Sequence, residues 1–462
     1  MKYFILMLVA FALSCATQNA DDGIFAAHMS DVVQNVPEDP SRPGDTAESQ
    51  WSISHVLGFA GAPALPNREP QKKQQLLKTL GFAGDDEYFD AVIAHMKALS
   101  GQMARVEFFY VGQGRFVGAE SLYNKMQTEG FELCGNLNPI ALFEAIDADF
   151  DGALKQLVKK YPKIEFWQVG NEPDLLWKNP SLFPKFFLRC QPIIRAAGRK
   201  IVLAGISNQY NSSEQNYKLF NKFLGEIIKG CPDKNPFDVF DFHFYKERSR
   251  GTDITKTVKT YRDLLALHGF AEGVRLWCTE TGIHTGDPPT PQFGFNSETD
   301  QAREIAYLVT HLTAQSVERI FFWTVIEGFA GEGIPGYFDQ MGLVYNGLGE
   351  EVTQGIPANT KKKAYHTYGR LASVLQKLTA ATCVAPGVYR FERKGLNSVF
   401  VVWNENGQSQ VVLSDLSTSF VQVEGLVPDD RGKIEQSKLA VSGGKMTLTV
   451  SELPQLVIPI EK

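Results

Sequence analysis

The stretch Trp167-Gln-Val-Gly-Asn-Glu-Pro-Asp174 closes a short apolar run, Ile164–Val169, that reads as a buried β-strand, and it sets an Asn-Glu pair at that strand's end. A carboxylic acid in such a place is positioned for proton transfer. Further along, Arg275-Leu-Trp-Cys-Thr-Glu-Thr-Gly282 sets Glu280 at the end of a second apolar run, Val274–Thr279. The question is what architecture would bring these two ends together.

Working outward from those runs, short apolar segments alternate with longer amphipathic ones from about Trp51 to Lys377. The strand candidates are Trp51–Phe59, Met103–Tyr110, Phe131–Gly135, Ile164–Val169, Lys200–Ile206, Val239–Phe244, Val274–Thr279 and Arg319–Val325. Between them, Phe150, Leu154, Leu157 and Val158 share one helical face, as do Ile305, Leu308, Val309 and Leu312. Eight strand–helix units imply an α/β fold, a closed (β/α)8 TIM barrel over residues 51–379. A doubly wound open sheet has the same alternation, but no Gly-x-Gly-x-x-Gly follows the first strand. After about Ala380 the pattern turns to short alternating runs, among them Val388–Phe391, Ser398–Trp403, Val411–Leu413, Met446–Val450 and Leu456–Ile460. These read as a small C-terminal β-sandwich over residues 380–462 with a supporting role.

The 462 residues are 44% hydrophobic and 21% charged, an ordinary globular composition, and the net charge of −6 gives no basic footprint for nucleic acid. The one Lys run, Lys361-Lys362-Lys363, reads as a solvated helix start. Residues 1–15 carry Lys2 and then an apolar stretch from Tyr3 to Leu13, too short to span a bilayer and suited to a signal peptide. Ala12-Leu13-Ser14-Cys15 resembles a bacterial lipobox, so export is expected with Cys15 lipidated at the cell envelope; cleavage near Ala16 would give a periplasmic or secreted form instead. Residues 16–50 then form a lead-in. Beyond Cys15 there are five cysteines with no Cys-x-x-Cys; Cys134 and Cys278 read as small core residues, while Cys190 and Cys231 are the pair that adjacency would allow to bridge.

In such a barrel the active site lies at the C-terminal strand ends, which places Glu172 on the fourth unit and Glu280 on the seventh, nearly opposite across the mouth. Glycosidic cleavage needs one acid to protonate the departing oxygen and a second carboxylate to attack the oxocarbenium-like centre; a separation of about 5 Å means retention through a covalent intermediate. The Asn-Glu-Pro after the fourth strand, the Glu after the seventh and the eight-unit layout resemble the retaining glycoside hydrolases of clan A. That resemblance implies that Glu172 is acid/base and Glu280 nucleophile. It also implies sugar or carboxylate contacts for Asn171, at the 2-hydroxyl, and for Arg105 in Ala104-Arg-Val-Glu-Phe-Phe-Tyr110, which orients the nucleophile. In Asp241-Phe-His-Phe-Tyr245, His243 and Tyr245 match a His-x-Tyr pattern whose Tyr bonds the nucleophile, and Trp323 matches an aromatic floor under the reacting sugar.

The long segment from Ile326 to Thr360 offers Glu327 as a further substrate contact, with Glu332 a poorer one, and Phe329, Tyr337, Phe338 and Tyr345 as a cleft wall shared with Trp177, Phe293 and Phe295. His243 and His284 stand in no metal-ligand spacing and there is no P-loop, so neither metal nor cofactor is called for. The expected partner is a β-linked carbohydrate, cleaved by hydrolysis or passed to another sugar. A reading from a different class is a surface lipoprotein that keeps the barrel to bind carbohydrate without turnover.

Overall fold

A computed structural model describes residues 56–60, 74, 77–78, 81–138, 148–177, 179–207, 214–231, 235–245, 251–270, 274–286, 294–328, 338–347 and 355–460. The signal segment, Cys15 and the lead-in lie outside them, as do residues 51–55 of the first strand candidate. Eight parallel strands close into a barrel: β1 (Leu57–Ala60), β2 (Met103–Gly112), β4 (Glu132–Asn138), β5 (Phe166–Asn171), β6 (Lys200–Gly205), β7 (Val239–Phe244), β8 (Arg275–Thr281) and β9 (Val317–Phe322). Pairing of β1 with both β2 and β9 completes the ring and excludes the open sheet. A short strand, β3 (Arg115–Val117), folds back on β2 through Gly112-Gln113-Gly114, all three at positive φ, the conformation that a tight reversal demands and glycine supplies without strain.

Strand alternation dictates the interior. One buried side chain from each barrel strand, namely Ala60, Met103, Cys134, Phe166, Val202, Val239, Trp277 and Phe321, forms an apolar layer that fills the lower barrel. Two residues on, the inward positions turn polar: Arg105, Asn136, Gln168, Asp241 and Thr279 are each fully buried. Outside the ring, the helical faces read from the sequence are buried against the strands, Phe150, Leu154, Leu157 and Val158 on one helix and Ile305, Leu308, Val309 and Leu312 on another. Cys190 and Cys231 are separate buried thiols, the latter accepting from the Gln191 amide at 3.6 Å.

The last barrel helix, Lys363–Val374, leads directly into the C-terminal β-sandwich. Its larger sheet runs β10 (Leu378–Ala385), β11 (Val388–Arg393), β12 (Leu396–Val402), β17 (Gln455–Ile460), β14 (Phe420–Gly425) and β15 (Gln436–Ala440) in spatial order, and β13 (Ser409–Leu413) pairs with β16 (Met446–Val450) as a second sheet. Val388, Val402, Leu413, Val421, Leu448 and Val457 fill the space between them. Barrel and sandwich meet at an aromatic stack: Trp403 lies on Tyr389 at 4.8 Å and on Tyr307 at 4.7 Å, with His311 edge-on to both Tyr389 and Trp403. The ring of His311 also bonds the Tyr389 hydroxyl at 2.9 Å.

Burial drops the His311 pKa from 6.5 to about 4, so the folded protein binds its proton less readily than the unfolded chain. The stability that a neutral His311 contributes is complete above pH ~6.5 and is lost as pH falls towards ~4. His311→Gln, followed by denaturant unfolding at several pH values, is expected to flatten that slope by on the order of 2 kcal/mol across the window. An unchanged slope would show that the joint does not sense this proton.

Candidate active site

Arg105 is the hub of the barrel mouth. On β2 it points inward above the apolar layer, and its guanidinium donates from Nε to Gln168 Oε1 at 2.6 Å, from Nη2 to Asn171 Oδ1 at 2.5 Å and from Nη1 to Glu280 Oε1 at 2.7 Å. The same Nη1 reaches Glu107 Oε1, also at 2.7 Å. Glu107 is the next inward residue of β2 and is held on its other oxygen by the Asn136 amide at 2.7 Å, its register partner on β4. Side chains from β2, β5 and β8, strands spread around the ring, thus fix one planar cation, and the cation holds the Glu280 carboxylate.

Simple alternation would turn Glu280 away from the barrel axis, because Trp277 already faces inward and Glu280 is three residues later. A register shift prevents this. Phe242 pairs with Cys278 but His243 pairs with Glu280, so Thr279 is passed over and β8 bulges there. Thr279 is anchored by Asp241, whose carboxylate accepts its backbone N–H at 3.0 Å and its hydroxyl at 2.6 Å. Glu280 then swings inward, where the Tyr245 hydroxyl donates to Oε2 at 2.9 Å.

Glu172 reaches the same space from β5. Its φ is +39°, rare for a residue with a side chain, and Gly170 at φ +91° precedes it, so the chain turns sharply as it leaves the strand. The backbone N–H of Glu172 is tied to the Gly205 carbonyl at 3.1 Å. His243 Nδ1 lies 2.8 Å from Glu172 Oε1 and 3.5 Å from Glu280 Oε2. Gly205 makes room for that ring, since a Cβ there would lie 2.1 Å from His243 Nε2. One oxygen of each glutamate and a ring nitrogen of His243 all fall within 4.8 Å of one another.

The two carboxyls are electrostatically unlike. Burial and the neighbouring Glu280 charge push Glu172 above the usual range, against the opposing His243 bond. Burial would raise Glu280 as well, but His243, Arg105 and the Tyr245 hydroxyl outweigh it and hold Glu280 below the usual range. Burial likewise works against the His243 cation and is overcome by Glu280 and Glu172, which raise the imidazole to about 9. Two carboxylates and an imidazole are also a donor set for a divalent cation, and the Arg105 guanidinium, 2.7 Å from Glu280, is a positive charge that opposes one there.

Comparison with solved structures places this arrangement on a known scaffold. A glucosidase from Croceicoccus marinus matches with a TM-score of 0.61 at 12% identity, over 89% of this chain and 97% of that one. The chain shares a barrel-and-sandwich fold with glycoside hydrolases. AbfB, a family 51 α-L-arabinofuranosidase from Bifidobacterium longum, matches at 0.51 with 12% identity, and a family 51 arabinofuranosidase from Xanthomonas axonopodis pv. citri at 0.50 with 11%, each over 89% of this chain and 96% of the other. No protein-family model matches the sequence, and no curated protein matches it. At these identities the likeness is one of fold, and chemistry has to be argued from the side chains.

Of the residues singled out in the sequence, Arg105, Asn171, Glu172, His243, Tyr245 and Glu280 converge. Trp323, half-buried, packs between the apolar layer and Tyr245, and Phe338 stands edge-on to Tyr245 at 5.0 Å. Trp177 is instead core, buried against Phe183 and Phe186 of the helix that follows it. Phe293, Phe329 and Tyr337 lie outside the described residues. Glu327 is buried and spent on an ion pair with Lys362, and Lys362 also donates to Thr285 Oγ1 at 2.7 Å and covers the Tyr345 ring at 4.6 Å. The Lys run does start a helix, at Lys363, and Lys361 is exposed, but Lys362 is not solvated: it is 0% exposed and locks the loop after β9 to the last barrel helix. Glu107 and Asn136 were not singled out, although Glu107 shares the Arg105 face by strand alternation.

Lys362→Met would leave the Glu327 carboxylate buried without a cation and is expected to cost ~3–5 kcal/mol in denaturant unfolding, with Glu327→Leu in the same chain restoring much of it. If Glu327 served the sugar instead, Glu327→Gln would raise KM at unchanged stability.

Proposed function

We propose that this chain is a retaining glycoside hydrolase that cleaves a β-linked glycoside or oligosaccharide by double displacement. The observation that carries the reading is the close pair of unlike glutamates, with oxygens within 4.8 Å and one carboxyl held anionic beside another held up. The short separation fits a nucleophile in contact with the sugar, since inverting enzymes space their carboxyls by roughly 6.5–9.5 Å to admit a water.

In the first step Glu280 attacks the anomeric carbon while Glu172 gives its proton to the departing oxygen. His243 holds Glu172 Oε1, which leaves Oε2 to meet the leaving group. Esterification removes the negative charge of Glu280, one of the two influences that kept Glu172 protonated, so Glu172 then ionises and draws a proton from the incoming water. Asn171, fixed by Arg105, is set for the sugar 2-hydroxyl, and Trp323 with Phe338 gives the ring an apolar surface. Export through residues 1–15, with lipid attachment at Cys15, remains part of the proposal: a carbohydrate polymer is met outside the cell.

The deciding experiment is turnover of a panel of aryl β-glycosides and β-linked polysaccharides, with product anomer followed by NMR. Retained configuration is expected, with kcat falling by roughly 10³-fold or more in Glu172→Gln and Glu280→Gln on substrates with poor leaving groups. Binding of sugar with no turnover across the panel would favour a carbohydrate-binding scaffold. The acid limb of kcat/KM should report Glu280 below the ordinary carboxylate range and the alkaline limb Glu172 above it. Tyr245→Phe removes a donor to the anion, so its acid limb should move to higher pH; a limb that stays in place would remove Tyr245 from the account.

A further inference from the structure

Arg105 Nη1 has two carboxylate partners at the same distance, Glu280 and Glu107, each at 2.7 Å. The second of these has no part in the double displacement as described. Its side chain is 19% exposed, against 12% for Glu280 and 7% for Glu172, so it borders the same opening. We propose that Glu107 is a positioning residue for the nucleophile, competing with Glu280 for one guanidinium nitrogen and keeping that nitrogen paired once Glu280 is esterified. The inference rests on the retaining reading of the site.

The charge balance shows why a second partner matters. Formation of the ester breaks the bond from the anomeric carbon to the leaving oxygen, makes a bond from that carbon to a Glu280 oxygen, and moves the proton of Glu172 to the leaving group. The negative charge passes from Glu280 to Glu172, and Arg105 loses an anionic acceptor. Gln168 and Asn171 are neutral, so Glu107 is the carboxylate still in contact with Arg105. Before attack the effect runs the other way: Glu107 shares the cation, so Glu280 is less tightly held and more nucleophilic than it would be as sole partner. Burial raises the Glu107 carboxyl above its ordinary range, while the Arg105 contact, the Asn136 amide and His243 favour its anion; the Tyr123 ring and Glu280 also face it, and Glu280 is faced by Arg105, Tyr245, His243, Glu172 and Glu107. Neutralising Glu107 therefore removes a repulsion from Glu280 and concentrates Arg105 on it.

The test uses Glu107→Gln, which keeps the shape and one of the two acceptor oxygens, and Glu107→Asp, which keeps charge. In the Gln variant the acid limb of kcat/KM should shift to lower pH by ~0.5 unit or more, and the rate of ester formation with a slow fluorinated aryl glycoside should fall by about tenfold. KM should rise as the ester ceases to accumulate, and Glu107→Asp should recover part of each effect. Should either variant fold poorly, the other carries the comparison, since a Gln limb below wild type and an Asp limb near it are separate readouts. An acid limb and labelling rate equal to wild type in Gln would overturn the proposal, as would equal losses in Gln and Asp, which mark a merely structural contact. A wild-type chain that forms no ester at Glu280 would fail the retaining reading itself, and this inference with it.

Discussion

The barrel mouth depends on a single guanidinium being held in one plane. Arg105 is fully buried, and each of its three nitrogens is used, so its orientation is set by β2, β5 and β8 together. A lysine could supply the charge but not the fork, because an ammonium cannot hold Gln168, Asn171 and Glu280 in fixed relative positions. Burying this cation is costly in isolation, and the surrounding carboxylates repay it: burial would lower its pKa, yet Glu107, Glu280 and Asp241 raise it. The functional groups and the stability of the upper barrel are for this reason the same set of contacts.

Two local departures from regular backbone do the aiming. On β8 the register shift turns Glu280 inward, and at the end of β5 the positive φ at Glu172, two residues after that at Gly170, sends its side chain back over the barrel. Each departure has its own support: Asp241 grips Thr279, and Gly205 both tethers Glu172 and clears space for His243. Asp241 itself, pushed up to about 7 by burial, sits under His243 and contributes to keeping the imidazole charged. The backbone irregularities and the electrostatic asymmetry are thus built from shared residues.

What could be read from the sequence divides along the same physical line. The eight apolar runs gave the barrel strands because burial on both faces leaves long hydrophobic stretches, and period-two alternation contains the apolar layer from Ala60 to Phe321. The motif at Trp167–Asp174 located Glu172, and Arg275–Gly282 located Glu280. Orientation was less accessible, since a bulge at Thr279 is decided by its partner Asp241 on another strand. Glu107 stood two residues from Arg105 and so on its face, but attention to strand ends passes over an interior carboxylate. Lys362 read as solvated and Glu327 as a substrate contact because charged residues in and beside a long loop usually face outward, and only tertiary contact shows that these two found each other. Trp177 shows the same limit, as an aromatic near a site may face the core as readily as the cleft.

The apolar layer beneath Arg105 has a consequence for where protons can go. It stops the lower barrel like a cork, one side chain from every strand, so the way to Glu172 and His243 from below is filled with apolar groups. In the proposed reaction a sugar seated in that mouth would stand between Glu172 and bulk solvent, and the bond being broken would be the nearest way out for the acidic hydrogen. A vessel stoppered below and filled above by its reactant would spend its acid on little else.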